Sequence, residues 1–288
     1  MNQANQNNQA NQTNQANLWT RTLISPAVLA YTLYIKFANW RNCIPIALFM
    51  LIPTFVVLTT MIFTHPTITV DNSKQVINVM RGYFASPLIC MLIGYFFISD
   101  GFAGRKIISE SESMALLFTR PITRFCYVMS KFCGGFIGTS LVFMAGFSIS
   151  LITALCFGVK LDSVSILDYV TLLCNAATFT SLMVFLHCAN PLIGGLTYFV
   201  LMGASGMGGM FTAFENTSNT FLEIFKSICL FISEWFGDLV ATPINFTALI
   251  SANFLDTYEL AVFASNIAFF LLLACAALSI REFSYGSD

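Results

Sequence analysis

The chain has 288 residues, of which 57% are hydrophobic and 9% are charged, and its formal net charge is −1. Soluble domains carry about 25% charged residues, so a water-soluble fold could not cover this much apolar surface, and the composition predicts a membrane protein. The near-neutral charge argues against nucleic acid as a partner. Nine cysteines without a Cys-x-x-Cys pair are typical of buried thiols rather than of a metal site or a disulfide framework.

The N-terminal part divides into a polar tail and a helical stretch. Residues 1–17 are almost entirely Asn, Gln and Ala, a composition that predicts disorder. From Leu18 to Arg41 apolar side chains recur at helical spacing, and Ser25 followed by Pro26 is a favourable helix start. The pattern predicts a helix in the membrane interface before the first span. The alternative is that this stretch only begins a long first helix.

Six apolar stretches follow, and each is close to the length needed to cross the roughly 30 Å apolar core of a bilayer. They cover about 43–63, 83–99, 132–157, 169–187, 191–211 and 260–280. A polar loop is expected over 64–81. The predicted fold class is therefore an all-α polytopic membrane protein, with one transmembrane domain over 18–283 and lipids as its surroundings.

The stretch between the fifth and sixth spans contains a second amphipathic pattern. Over 219–240 the charged side chains fall on one helical stripe, which consists of Glu223, Lys226, Glu234 and Asp238. This pattern predicts a helix on the outer membrane surface. A seventh span is the alternative, but four charges would be costly at bilayer depth.

Lysine and arginine predict the orientation, because cytoplasmic loops are enriched in both. With the N-terminus inside, the inner side holds Arg21, Lys36, Arg41, Arg105, Lys106, Arg120, Arg124, Lys131 and Arg281. The outer side holds only Lys74, Arg81, Lys160 and Lys226. We therefore expect a plasma or inner membrane protein with both termini in the cytoplasm, where 284–288 form a short tail.

The segment 100–131, which we call the bridge, joins the second and third spans and is rich in charge for this chain. On a helical wheel of 104–118, apolar side chains gather on one side and charged and serine side chains on the other. Leu116 and Leu117 break the pattern, since they lie on the charged side, and this indicates contact with another protein. Pro121 is expected to end the helix, and Thr123 can cap the third span. An ordinary charged cytoplasmic loop is the alternative.

The bridge resembles the cytoplasmic motif of the permease subunits of ABC-2 type transporters. That motif has a Glu-rich turn, a leucine pair, an Arg-Pro-Ile/Val-Ser/Thr-Arg run and a later Lys-Phe/Leu. The matching residues are Glu110, Glu112, Leu116, Leu117, Arg120, Pro121, Ile122, Thr123, Arg124, Lys131 and Phe132. The family usually has Gly-Thr before the leucines, where this chain has Glu112 and Ser113.

The resemblance implies a coupling helix that sits in a groove of a separate ATP-binding cassette ATPase subunit. Two permease chains, as a homodimer or a heterodimer, would assemble with two ATPase chains, and the substrate path would run between the permeases. The residues implied to contact the ATPase are Arg105, Lys106, Ser109, Glu110, Glu112, Leu116, Leu117, Arg120, Pro121 and Arg124. Family members are usually exporters, and the sequence leaves the substrate and its binding residues open.

Other patterns bear on chemistry within this chain. It contains no Gly-x-x-x-x-Gly-Lys-Ser/Thr run, so we expect ATP to bind the partner subunit and this chain to be neither an enzyme nor a cofactor protein. His65 and His187 are expected near opposite membrane faces, which predicts no shared metal site. Two alternatives to a permease stay open: a non-transporting membrane interaction or scaffold protein with the same fold, and a polytopic membrane enzyme.

Two polar patterns within the spans concern helix packing. Gly134 and Gly138 form a Gly-x-x-x-Gly pair, which predicts close approach of a neighbouring helix. Asn175 and Asn266 are expected to form hydrogen bonds between helices.

Overall fold

The computed structural model describes residues 24–38, 40–64, 70–99, 123–160, 164–189 and 257–280, and the single residues Ile224, Ser227, Ile228 and Phe231. The longer ranges contain seven α-helices and no strand. The helices are α1 Pro26–Phe37, α2 Trp40–Thr64, α3 Val70–Ala85, α4 Pro87–Ile98, α5 Arg124–Cys156, α6 Ile166–Ala189 and α7 Thr257–Ile280. The predicted all-helical fold is therefore confirmed for the described residues.

Four of these helices are long and apolar enough to cross a membrane. Their spanning parts are Asn42–Thr59, Arg124–Cys156, Ile166–Ala189 and Leu260–Ile280. They coincide with the first, third, fourth and sixth predicted spans. The predicted fifth span at 191–211 lies outside the described residues, as do the tails 1–17 and 284–288 and nearly all of the outer segment 219–240.

The region of the second predicted span differs from the expectation. The polar loop predicted over 64–81 is wrong for 70–81, where α3 is helical, and α3 and α4 are separated at Ser86. Taken together, Val76–Phe84 and Ile89–Ile98 form one candidate span bent by 40°. Pro87 explains the break, because its ring excludes helical geometry at the preceding residue, and Ser86 is extended with φ −63° and ψ 119°.

Helix α5 lies at the centre of the described bundle and contacts each of the other six helices. Glycines allow two of these contacts to be close. A Cβ atom added at Gly134 would lie 3.1 Å from Cβ of Thr32 in α1, and one added at Gly138 would overlap the ring of Phe97 in α4. The close packing predicted from the Gly-x-x-x-Gly pair is therefore confirmed.

Helix α1 directs polar side chains towards the protein and aromatic side chains outward. Thr32 and Lys36 are buried, whereas Tyr31, Tyr34 and Phe37 are exposed. A helix on a water-soluble protein has the reverse arrangement, so the exposed aromatic face suits contact with lipid. The helix starts at Pro26 with Ser25 at its N-cap, as predicted. Its location in the membrane interface stays a prediction.

The start of α5 is capped by Thr123, as the sequence predicted. Thr123 Oγ1 accepts a hydrogen bond from the backbone N–H of Cys126 at 3.2 Å. Thr123→Ala should therefore lower the free energy of unfolding by about 1 kcal/mol. Thr123→Ser keeps the hydroxyl group and should retain most of the stabilisation that the cap provides. Thermal unfolding of the three proteins in the same detergent measures the difference. If alanine and serine had the same effect, the cap would not contribute to stability.

Candidate functional site

The helix before the bridge, α4, and the helix that contains the last residues of the bridge, α5, meet at one end of the bundle. Helix α4 ends at Ile98, and α5 begins at Arg124. Lys131, about 10 Å along α5 from its start, donates a hydrogen bond through Nζ to the carbonyl oxygen of Ile98 at 3.4 Å. The bridge therefore leaves and rejoins the described bundle on the same side.

Two buried lysines bind consecutive carbonyl groups at the C-terminus of α4. Lys36 Nζ, from α1, donates to the carbonyl oxygen of Ser99 at 2.5 Å, next to the Ile98 carbonyl that Lys131 binds. Each lysine is only 1% exposed. The last carbonyl groups of a helix lack partners within the helix and carry a partial negative charge, so they are suitable acceptors for buried ammonium groups.

An aromatic ring adds to the surroundings of the first lysine. Lys36 Nζ lies 4.7 Å from the centroid of the Phe96 ring, in a cation–π arrangement. Phe96 belongs to the last turn of the same helix, α4. The Lys36 side chain thus contacts both the main chain and a side chain of the α4 terminus.

Arg124 is the one predicted ATPase-contacting residue that the structure describes. Its Nη1 donates to the carbonyl oxygen of Ser279, in the last turn of α7, at 3.0 Å. A cation at this position interacts favourably with the helix dipole and satisfies a terminal carbonyl group. The remaining residues of that set lie outside the described residues: Arg105, Lys106, Ser109, Glu110, Glu112, Leu116, Leu117, Arg120 and Pro121.

The opposite end of the bundle has an ion pair that links α3 to α6. Arg81 donates through Nε and Nη2 to the two carboxylate oxygens of Asp168, each at 2.9 Å. Asp168 is 6% exposed and Arg81 is 31% exposed. Such a bidentate ion pair is both stronger and more directional than a pair joined by a single hydrogen bond.

Asp168 also stabilises the start of α6. Its Oδ2 accepts from the backbone N–H of Ser165 at 3.0 Å, and Ser165 Oγ accepts from the N–H of Leu167 at 3.3 Å. The two bonds form a variant of a capping box, in which the serine side chain binds the N–H of the second helical residue instead of the third. Sequence analysis missed this site, although a serine followed three residues later by an aspartate before an apolar run is the recognised signal.

Polar side chains also lie between these two ends, on α5 and α6. Among the described residues, buried hydroxyl groups of Thr139, Ser140 and Thr180 and the amide nitrogen of Asn175 have no hydrogen-bond partner. Two contacts define how the antiparallel helices α5 and α6 are aligned. The hydroxyl oxygens of Ser148 and Tyr169 are 3.1 Å apart, and a Cβ atom added at Gly135 would lie 2.9 Å from Cγ2 of Thr180. This alignment places Ser140 level with Asn175. The Asn175 amide nitrogen therefore donates no interhelical hydrogen bond, while the interhelical bonds predicted for Asn175 and Asn266 otherwise stay predictions.

The described part of the chain contains no group of three His, Cys, Asp or Glu side chains that could hold a metal ion. His187 is buried near the end of α6, and His65 lies outside the described residues. Comparison with protein-family models, curated proteins and solved structures gives no match.

Proposed function

We propose that this chain is the permease subunit of an ABC-2 type transporter in the plasma or inner membrane. Six transmembrane helices, with both chain termini in the cytoplasm, form the substrate path together with a second permease chain. A separate cassette ATPase binds and hydrolyses ATP and holds the bridge as a coupling helix. The proposed direction of transport is export.

The observation that carries the proposal is the position of the permease-like motif in the fold. The motif at 110–124 lies in the chain segment that joins Ser99 to α5, and both attachment points are on one side of the bundle. A protein on that side can therefore bind the segment without entering the membrane. Lys36, Lys131 and Arg124 are at the same end, which is the end that the lysine and arginine distribution of the whole sequence predicts to be cytoplasmic.

The proposal is tested by co-expressing this chain with a cassette ATPase from the same organism and asking whether the two copurify. We expect Glu110→Lys combined with Glu112→Lys to reduce binding of the ATPase and its stimulation by about tenfold or more, because reversed charges oppose docking at an interface. Lys74→Glu is the matched control, since Lys74 is exposed on α3 and the substitution changes charge by the same amount per site. This control should bind and stimulate the ATPase like the unmodified chain.

The outcomes separate the proposal from its alternatives. Unchanged binding and stimulation after both glutamate substitutions would contradict a coupling role for the bridge. Binding of an ATPase without ATP-dependent movement of any substrate would favour a scaffold protein. Catalytic turnover by the purified chain alone would favour a membrane enzyme.

A further inference from the structure

We propose that the bridge is attached to the membrane helices through a cation–carbonyl cluster that makes α1, α4, α5 and α7 move together with it. The cluster consists of Lys36, Lys131 and Arg124 with the carbonyl groups of Ile98, Ser99 and Ser279. Its role in transmission rests on the proposed function, whereas the attachment of the helix ends is a property of the fold. The three cations are positioning residues.

Lysines from two different helices reach the end of α4, because Lys36 belongs to α1 and Lys131 to α5. Hydrogen bonds from a charged donor are roughly twice as strong as neutral ones. Both side chains are almost completely buried, so water does not readily replace either lysine at these carbonyl groups.

The backbone of Ser99 is extended, with φ −73° and ψ 131°. Its N–H makes the last helical hydrogen bond of α4, to the Tyr95 carbonyl oxygen at 2.8 Å, so the chain leaves helical geometry at Ser99 itself. An extended residue between a helix and a connecting segment could act as a hinge. The bond from Lys36 to the Ser99 carbonyl fixes this point to α1 and opposes hinge motion.

At the other end of the connection from Ser99, Arg124 is the first residue of α5 and binds the last turn of α7 through Ser279. Its side chain is exposed, so water competes for this contact more than for the two buried lysine contacts. A displacement of the bridge consequently reaches α1 and α5 through the lysines and α7 through Arg124. Helix α7 has its most extensive packing against α6, which extends the effect across the bundle.

The test uses the full chain with its ATPase and replaces each lysine singly by methionine. Methionine keeps a flexible side chain of similar length but removes the ammonium group. Lys36→Met and Lys131→Met should leave ATPase binding intact and reduce its stimulation roughly fivefold or more. Lys36→Arg, which keeps a cationic donor, should retain more stimulation than Lys36→Met. Lys74→Met, on the exposed surface of α3, is the control and should change neither quantity.

A second measurement needs no ATPase. Amide hydrogen exchange at 95–99 should rise about tenfold or more in either methionine variant, because the end of α4 opens locally when its carbonyl partners are removed. Arg124→Met should instead raise exchange in the last turn of α7. Since Arg124 is exposed, this variant is expected to fold and so tests the cluster even if a buried methionine prevents folding.

The results distinguish failure of this inference from failure of the proposed function. If no ATPase binds the unmodified chain, the proposed function fails, and the exchange data still decide whether the cluster holds the helix ends. Normal exchange in all three methionine variants would overturn the cluster. Raised exchange with full ATPase stimulation would overturn its role in transmission.

Discussion

Asp168→Ala is expected to lower the free energy of unfolding by about 3 kcal/mol. The substitution removes both hydrogen bonds of the ion pair with Arg81 and also the acceptor for the Ser165 N–H. Arg81 would be left half-buried without the carboxylate, and the first turn of α6 would lose its cap. Thermal unfolding in detergent, followed by tryptophan fluorescence, measures the loss.

Two further variants separate the roles of Asp168. Asp168→Asn keeps an oxygen acceptor for the cap but loses the charge. Its free energy of unfolding should therefore lie between that of the native protein and that of Asp168→Ala. In the double variant Arg81→Ala/Asp168→Ala, the loss should be smaller than the sum of the single losses by roughly 1–3 kcal/mol, because the two side chains interact directly. Additive losses would show that the pair contributes no coupling energy between α3 and α6.

Gly138→Ala is expected to lower stability by about 1–2 kcal/mol. The added methyl group would overlap the Phe97 ring. That ring is fully buried and packs against Phe37 and Phe96, with centroid distances of 5.6 Å and 5.3 Å, so it has little room to turn away. Overpacking of this kind costs about 1–3 kcal/mol, and the better helix propensity of alanine offsets up to about 1 kcal/mol of it.

The matched control is Gly82→Ala in α3. A Cβ atom at Gly82 has no neighbouring atom within 4 Å, so the same substitution should leave the unfolding temperature unchanged or raise it slightly. Phe97→Leu in the Gly138→Ala background should recover part of the lost stability, because the smaller side chain makes room for the methyl group. Equal effects of the two alanine substitutions would contradict close packing between α4 and α5.

The features that sequence analysis predicted correctly all depend on residues close together in the chain. Four helices long and apolar enough to cross a membrane were predicted from apolar stretches, and the α5 cap was predicted from Thr123, which binds a group three residues away. The break at Ser86 was missed, even though Pro87 marks it, because apolar composition continues through that position. The resemblance of 110–124 to an ABC-2 permease motif stays a prediction, as does the function inferred from it.

The sequence by itself determined a helical membrane protein and the positions of most described helices, because helix formation and membrane insertion follow local composition and spacing. Only the tertiary structure decided which side chains meet. Arg81 and Asp168 are 87 positions apart, and Lys36 lies 63 positions from Ser99. Orientation analysis treated Lys36 and Lys131 only as charges on the inner side, whereas packing buries both against the end of α4. The Ile98 and Ser99 acceptors are main-chain carbonyl groups, which every residue has, so no residue pattern could indicate these two contacts before the helices were arranged in space.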